Sequence, residues 1–235
     1  MVDFSCPENA GDWVDANYPS VQVVRVPGRE RWHASVARNL GVRHTEARWI
    51  CFVDSDVMLE PGFSTALLES LTPGGFYRVW STDRGLVGTF ACARADFERA
   101  GGYDEVYPCW GEEDNDLYDA LEFLGVEPRP LPDPLPSHLP HDNAARIRYS
   151  PIPDITLGHA INRVYRIMKW NTARLNRELL TLEMRKDLYA RVREVVTATY
   201  RTGQPGNLAI RLAPGIVPGG YSLSRELTYR LTKDA

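Results

Sequence analysis

Trp49-Ile50-Cys51-Phe52-Val53-Asp54-Ser55-Asp56 is an apolar, β-prone run that stops abruptly at two acids separated by one small residue. In an extended chain, residues two apart point to the same side. Both carboxylates can therefore address one hard divalent cation at a strand's carboxyl end, which suggests a metal-diphosphate site. The same residues also suit a solvated turn after a core strand, and the choice between the two rests on the rest of the chain.

Outward from this run, the first half of the sequence alternates short strand-like and helical segments, the pattern of an α/β layer fold. Val21 to Val26 reads as a strand, and Glu30 to Val42 as a helix with Trp32, Val36 and Leu40 on one face. Pro61 opens a helix whose apolar face is Phe63, Ala66, Leu67, Leu68 and Leu71. Phe76 to Trp80 and Leu86 to Ala93 read as strands, Ala95 to Ala100 as a short helix, and Glu112 to Leu124 as an acidic helix stopped by Gly125. The proline-dense stretch from Pro128 to Pro140 is extended and delivers His138 and His141 to wherever it docks. These segments predict an α/β domain over residues 1–150.

Residues 151–235 predict a mostly helical extension. From Ile155 to about Tyr200, Leu188, Val192, Val195 and Thr199 form an apolar stripe, while Arg185, Lys186, Arg191 and Arg193 cover other faces. That basic face suits a solvated surface, a peripheral contact with an anionic membrane, or self-association. The tail beyond Gly206 predicts one short strand and one short helix.

With 235 residues, 43% of them hydrophobic and 25% charged, the chain can bury a substantial core. A formal net charge of -4 gives no basic footprint for a phosphate backbone, which argues against nucleic acid. Cys6, Cys51, Cys92 and Cys109 show no paired spacing and read as reduced thiols. Neither a membrane-spanning apolar run nor a signal-peptide pattern is present in the sequence, so a cytoplasmic protein is expected, with the inner membrane face as a peripheral site.

A second acidic cluster, Trp110-Gly111-Glu112-Glu113-Asp114-Asn115-Asp116, stands at the amino end of a predicted helix. Acids there complement the helix dipole, but four acids in five residues exceed what capping requires. A carboxylate beside a Trp and a flexible Gly also has the parts of a general base next to a sugar-binding platform.

In order along the chain, Val2-Asp3-Phe4-Ser5-Cys6-Pro7, Ala37-Arg38-Asn39-Leu40-Gly41, Phe52-Val53-Asp54-Ser55-Asp56, Gly101-Gly102-Tyr103-Asp104-Glu105 and Trp110-Gly111-Glu112-Glu113-Asp114 resemble the family 2 glycosyltransferases of the GT-A fold. The likeness is to those whose later part is like the β-1,4-galactosyltransferase C-terminal region, and it covers roughly residues 2 to 145. It implies a Rossmann-like mixed sheet flanked by helices. It also implies an inverting, metal-dependent transfer of a hexose or N-acetylhexosamine from a nucleotide-diphosphate sugar, UDP-linked by family habit, to a hydroxyl of a glycan or glycoconjugate.

Carried over residue by residue, the resemblance implies that Asp54 approaches ribose and metal while Asp56 binds an Mn2+ or Mg2+ ion. Asp3 would contact the nucleotide base, and Arg38 the nucleotide or diphosphate. Asp114 would be the catalytic base, Glu113 and Glu112 would hold sugar or acceptor hydroxyls, and Trp110 would stack on a sugar face. His141 matches a third metal ligand brought by a late loop, with His138 as the fallback.

Family members carry a strand and helix ahead of the position of Asp3, about 25 to 35 residues. The sheet is therefore expected to lack its first β-α unit, and the start of the chain to lie upstream. A fold kept without turnover, as a carbohydrate-binding or scaffold protein, is the alternative function, and a metal-dependent hydrolase or nucleotidyltransferase a third.

Overall fold

The computed structural model describes residues 1–29, 31–80, 84–139, 148–217 and 221–233. The chain forms two compact units. The first comprises Met1–Cys109 with Glu113–Pro151, and the second Trp110–Glu112 with Ile152–Ala235.

The first unit is built on a four-stranded mixed sheet. Its strands are β3 (Trp49–Phe52), β5 (Gly75–Arg78), β6 (Phe90–Ala93) and β7 (Glu127–Pro130), in the order β3-β6-β5-β7. β6 runs antiparallel to β3 and β5, and β7 lies parallel to β5. The strict alternation of a pleated strand divides each sequence between two cores. Ile50, Phe52, Phe76, Phe90 and Cys92 enter one, with Phe97, Tyr103, Leu117, Tyr118 and Leu121. Tyr77 and Ala91 enter the other, with Phe63, Leu67 and Leu131.

The helices expected of this unit are present with altered bounds or faces, and one that was not expected, α1 (Ala10–Asn17), joins them. α3 (Phe63–Ser70) buries Phe63 and Leu67 of its expected apolar face but leaves Leu68 68% exposed, and α4 (Arg94–Arg99) buries Phe97. α2 spans Ala34–Arg43 rather than starting at Glu30, and its buried residues are Ser35, Ala37, Asn39 and Val42. The expected stripe of Trp32, Val36 and Leu40 is not the buried one, since Trp32 precedes the helix and is exposed. α5 begins at Glu113 and ends at Phe123, because Glu112 has a φ of 73° and cannot be a helical residue.

Two short ladders complete this unit. β1 (Val2–Asp3) pairs in parallel with β2 (Val24–Arg25), and α1 (Ala10–Asn17) lies between them in sequence. β4 (Val57–Met58), directly after the Asp54-Ser55-Asp56 turn, pairs antiparallel with β8 (Ser137–His138), and the amide of Leu139 donates to the carbonyl of Asp56 at 2.8 Å. The proline-rich segment is extended where described, as its composition requires, and it docks beside the acidic turn.

The second unit contains α6 (Ile155–Asn176) and α7 (Leu182–Thr202), capped by the side chains of Asp154 and Thr181. The tail is not a short strand and a short helix. It is a long antiparallel hairpin, β9 (Gly206–Val217) with β10 (Tyr221–Leu231), whose buried residues Leu208, Ile210 and Leu212 alternate along β9. Among the described residues, no helix is long and apolar enough to cross a membrane.

Candidate active site

Arg38 organises the first unit's candidate site. Projecting from α2, its guanidinium donates through Nη2 to Asp54 Oδ1 at 2.6 Å and through Nη1 to Asp114 Oδ1 at 2.6 Å, while Glu113 Oε1 lies 4.0 Å from Nη1. It also lies over the Tyr103 ring, 5.0 Å from the centroid. Burial alone would lower its pKa. Asp114, Tyr103, Asp54 and Glu113 outweigh that and hold the group well above its ordinary value.

Asp114, in the first turn of α5, is held asymmetrically. Its Oδ1 accepts from Arg38 and from the Tyr103 hydroxyl at 3.0 Å, whereas Oδ2 has no hydrogen-bond partner among the described residues. Burial raises its pKa above the ordinary aspartate value; Arg38 opposes this and Asp54 adds to it. A carboxylate with one oxygen anchored, the other open and its basicity raised is suited to taking a proton. Burial likewise pushes the Tyr103 hydroxyl well above its ordinary pKa, so it is a donor to Asp114.

Two features unseen in the sequence hold this arrangement. Asn39, next to Arg38 on α2, donates to the Tyr103 carbonyl at 2.9 Å and to Glu105 Oε1 at 2.8 Å, and accepts from the Tyr103 amide at 2.9 Å. Gly102 has a φ of 71°, and a Cβ there would sit 2.7 Å from Asn39 Oδ1, so only glycine fits. A Cβ on Gly88 would sit 2.5 Å from Asp54 Oδ2 and 2.7 Å from Arg38 Nη2. These residues stood in the quoted motifs or in a strand without a role, and their signal was the recurrence of the motifs in order.

The remaining expected site residues fall as follows. Asp54 and Asp56 flank the turn before β4, and Asp54 Oδ2 is without a hydrogen-bond partner among the described residues. The Asp54 Oδ2 atom lies in a space that a methyl group at residue 88 would fill, and a carboxylate oxygen so placed suits a hard cation. His141 lies outside the described residues, and among those described no group of three or more His, Cys, Asp or Glu is placed to hold a metal. The His138 ring packs against Gly85, where a Cβ would lie 2.5 Å from it.

Asp3 ends β1, ahead of α1. Its Oδ1 accepts from the Cys6 amide at 2.8 Å and its Oδ2 from the Gly11 amide at 3.1 Å, so it supplies the cap that Asn9 does not give α1. The Arg38 guanidinium is bonded to the carboxylates of Asp54 and Asp114. Glu112 is drawn away from any hydroxyl. Both of its oxygens accept from arginines of α6, Arg163 and Arg166 at 2.9 Å each. Burial would raise its pKa, but these two bonds outweigh that and lower it. Trp110 is 37% exposed, with its ring 6.2 Å from that of His159.

Residues 3–101 match the family described as glycosyl transferase family 2, and residues 71–142 match the N-terminal domain of galactosyltransferase. Across that first span the chain is similar to glycosyltransferase family 2.

The chain's likeness to solved structures is one of fold. A mannosyltransferase from Pyrobaculum calidifontis, in complex with GDP-Man and Mn2+, is 16% identical with a TM-score of 0.51, covering 86% of this chain and 66% of its own. The chain therefore spans 66% of that protein's length. The catalytic domain of Drosophila β1,4-galactosyltransferase 7, complexed with xylobiose, is 13% identical with a TM-score of 0.47, covering 91% of this chain and 80% of its own. No curated protein sequence is matched by the chain. The mixed α/β fold is that of GT-A glycosyltransferases.

Proposed function

We propose that the chain is an inverting, metal-dependent glycosyltransferase that moves a hexose or N-acetylhexosamine from a nucleotide-diphosphate sugar, UDP-linked, to a hydroxyl of a glycan or glycoconjugate. The observation that carries this reading is the Arg38 guanidinium bonded at once to Asp54 and Asp114. It joins the donor-side acid of the strand-end turn, within the span similar to glycosyl transferase family 2, to the acid at the start of α5, within the span similar to the galactosyltransferase domain.

In this reaction the acceptor oxygen attacks the anomeric carbon as Asp114 Oδ2 takes the hydroxyl proton. The bond from that carbon to the diphosphate oxygen breaks, and the electron pair leaves with the nucleoside diphosphate. Attack opposite the leaving group inverts the centre. Arg38 and Tyr103 keep Asp114 Oδ1 anchored, so the open oxygen is the one presented. Asp54, Asp56 and His141 would hold Mn2+ or Mg2+, which supplies positive charge against the departing diphosphate. Glu113 and Trp110 would meet sugar hydroxyls and a sugar face. The mannosyltransferase of like fold holds GDP-Man and Mn2+, so a GDP-sugar belongs in the same test.

The test incubates the protein with UDP- and GDP-sugars and a panel of sugar acceptors, with Mn2+ or with chelator, and follows nucleoside diphosphate release and product configuration by NMR. Metal-dependent release with an inverted product is expected. Sugar binding with no donor consumed under any condition would replace this reading with a non-catalytic carbohydrate-binding protein.

A further inference from the structure

One face of α6 grips the tripeptide Trp110-Gly111-Glu112. His159, Asn162, Arg163 and Arg166 recur at the spacing that stacks side chains along a single helical face. Each of them meets the tripeptide. Glu112 Oε1 accepts from Arg163 Nη1 at 2.9 Å and lies 3.0 Å from His159 Nε2, while Oε2 accepts from Arg166 Nη1 at 2.9 Å. Asn162 donates to the Gly111 carbonyl at 2.8 Å, and its own Oδ1 accepts from the Tyr189 hydroxyl of α7 at 2.9 Å. The His159 ring accompanies that of Trp110.

The backbone gives this grip its meaning. Gly111 and Glu112 have successive positive φ values of 104° and 73°. Glycine accepts such a conformation freely, but a glutamate in the left-handed region is strained, and strain of this kind persists only where the surroundings over-determine it. Here the surroundings are three cationic or basic side chains on a carboxylate that is 5% exposed. The next residue, Glu113, opens α5, whose first turn carries Asp114.

We propose that Glu112 is a positioning residue for transfer: clasped by Arg163 and Arg166, it holds the left-handed turn that fixes Trp110, the aromatic face assigned above to a sugar. It touches no substrate, because both oxygens are committed to arginines. Removing Arg166 strips the buried carboxylate of the bond to Oε2, and neutralising Glu112 takes the counter-charge from both arginines, which is costly enough to release the turn. The catalytic consequence rests on the transferase reading above; the clasp itself does not.

The experiment compares the full chain with Glu112→Gln, Arg166→Gln and Arg166→Lys by amide hydrogen exchange and by steady-state kinetics. In the two glutamine variants, exchange in the peptide over residues 110–117 should rise at least tenfold while the β3 and β6 peptides stay unchanged. Their kcat should fall at least tenfold with the KM for the nucleotide sugar within twofold, and Arg166→Lys should recover most of both. Exchange within twofold of the parent in both glutamine variants overturns the proposal, as does a raised donor KM with kcat intact. If Glu112→Gln fails to fold, Arg163→Gln, altering a half-exposed side chain, is read by the same criteria. A parent that consumes no nucleotide sugar defeats the transferase reading alone, since the exchange result still decides whether Glu112 holds the turn.

Discussion

Asp114 combines the two properties that a buried base must reconcile. Its folded pKa is raised, chiefly by burial. The cost of keeping it ionised is therefore absent below the ordinary aspartate value of 3.8, sets in as pH rises towards the folded value, and is complete above it. Asp114→Asn keeps the shape and an acceptor for Arg38 and Tyr103 while removing that cost, and Arg38 retains Asp54. Transfer should drop about 10²- to 10⁴-fold, while thermal stability at pH 7 is unchanged or higher. A variant that loses stability at pH 7 as well as activity would show that the carboxylate supports the fold.

Gly88 tests the other end of the same guanidinium. An alanine methyl there would occupy space 2.5 Å from Asp54 Oδ2 and must displace the Arg38–Asp54 pair, without any positive φ at this glycine to strain the backbone. Gly88→Ala should fold normally and weaken metal-dependent donor binding about tenfold to a hundredfold, the scale on which a misplacement of about 1 Å is felt. Titrating nucleoside diphosphate with Mn2+ by thermal shift checks this, and parental affinity would mean that Asp54 Oδ2 does not face the cation.

At the scale of elements, α2 is the spine of the site although its sequence advertises something else. Its apolar positions suggest a core face of Trp32, Val36 and Leu40, yet the buried face carries Ser35 and Asn39. Periodicity finds oily faces, and a helix that presents polar side chains to a site defeats it. Asn39 satisfies both the amide and the carbonyl of Tyr103, so Asn39→Ala leaves two buried backbone groups unpaired at a cost of about 2 to 4 kcal/mol. Denaturant unfolding measures that loss. Transfer should fall with it, because the Tyr103 hydroxyl that anchors Asp114 moves. A loss under about 0.5 kcal/mol would mean that other groups or water replace the amide.

The hairpin shows the opposite failure. Leu208, Ile210 and Leu212 alternate along β9, and Tyr221, Leu223, Leu227, Tyr229 and Leu231 share one parity along β10. The pattern was legible, but Leu, Arg and Glu are strong helix formers and drew the segment towards a helix, whereas pairing overrides such propensities. The strand-end acids, the acidic start of α5 and the extended course of the proline-rich segment were readable because each is written in local sequence, whereas the place where that segment docks was not. The bridging role of Arg38 was not, since it depends on partners 16 and 76 residues away.

Over the whole molecule, the two units carry opposite responses to acid. In the second unit, Glu112 has its pKa lowered by the arginine bonds that outweigh burial, and Asp154 has its own lowered chiefly by the Leu157 amide it caps. A carboxylate depressed on folding contributes stability that is full above its ordinary value, 4.5 for Glu112 and 3.8 for Asp154, and is lost as pH falls through the folded value. In the first unit, Asp114 is raised, so acid relieves a cost instead of removing a support. Lowering the pH from 7 to about 3 should therefore loosen α6 and the Trp110–Glu112 turn before the β3-β6-β5-β7 sheet, and pulsed hydrogen exchange across that range resolves the order. Glu112→Gln should bring the loosening of α6 to neutral pH and flatten its acid dependence, because the arginines then lack their counter-charge at every pH. If the sheet opens first, carboxylates other than these three govern the acid response of the chain.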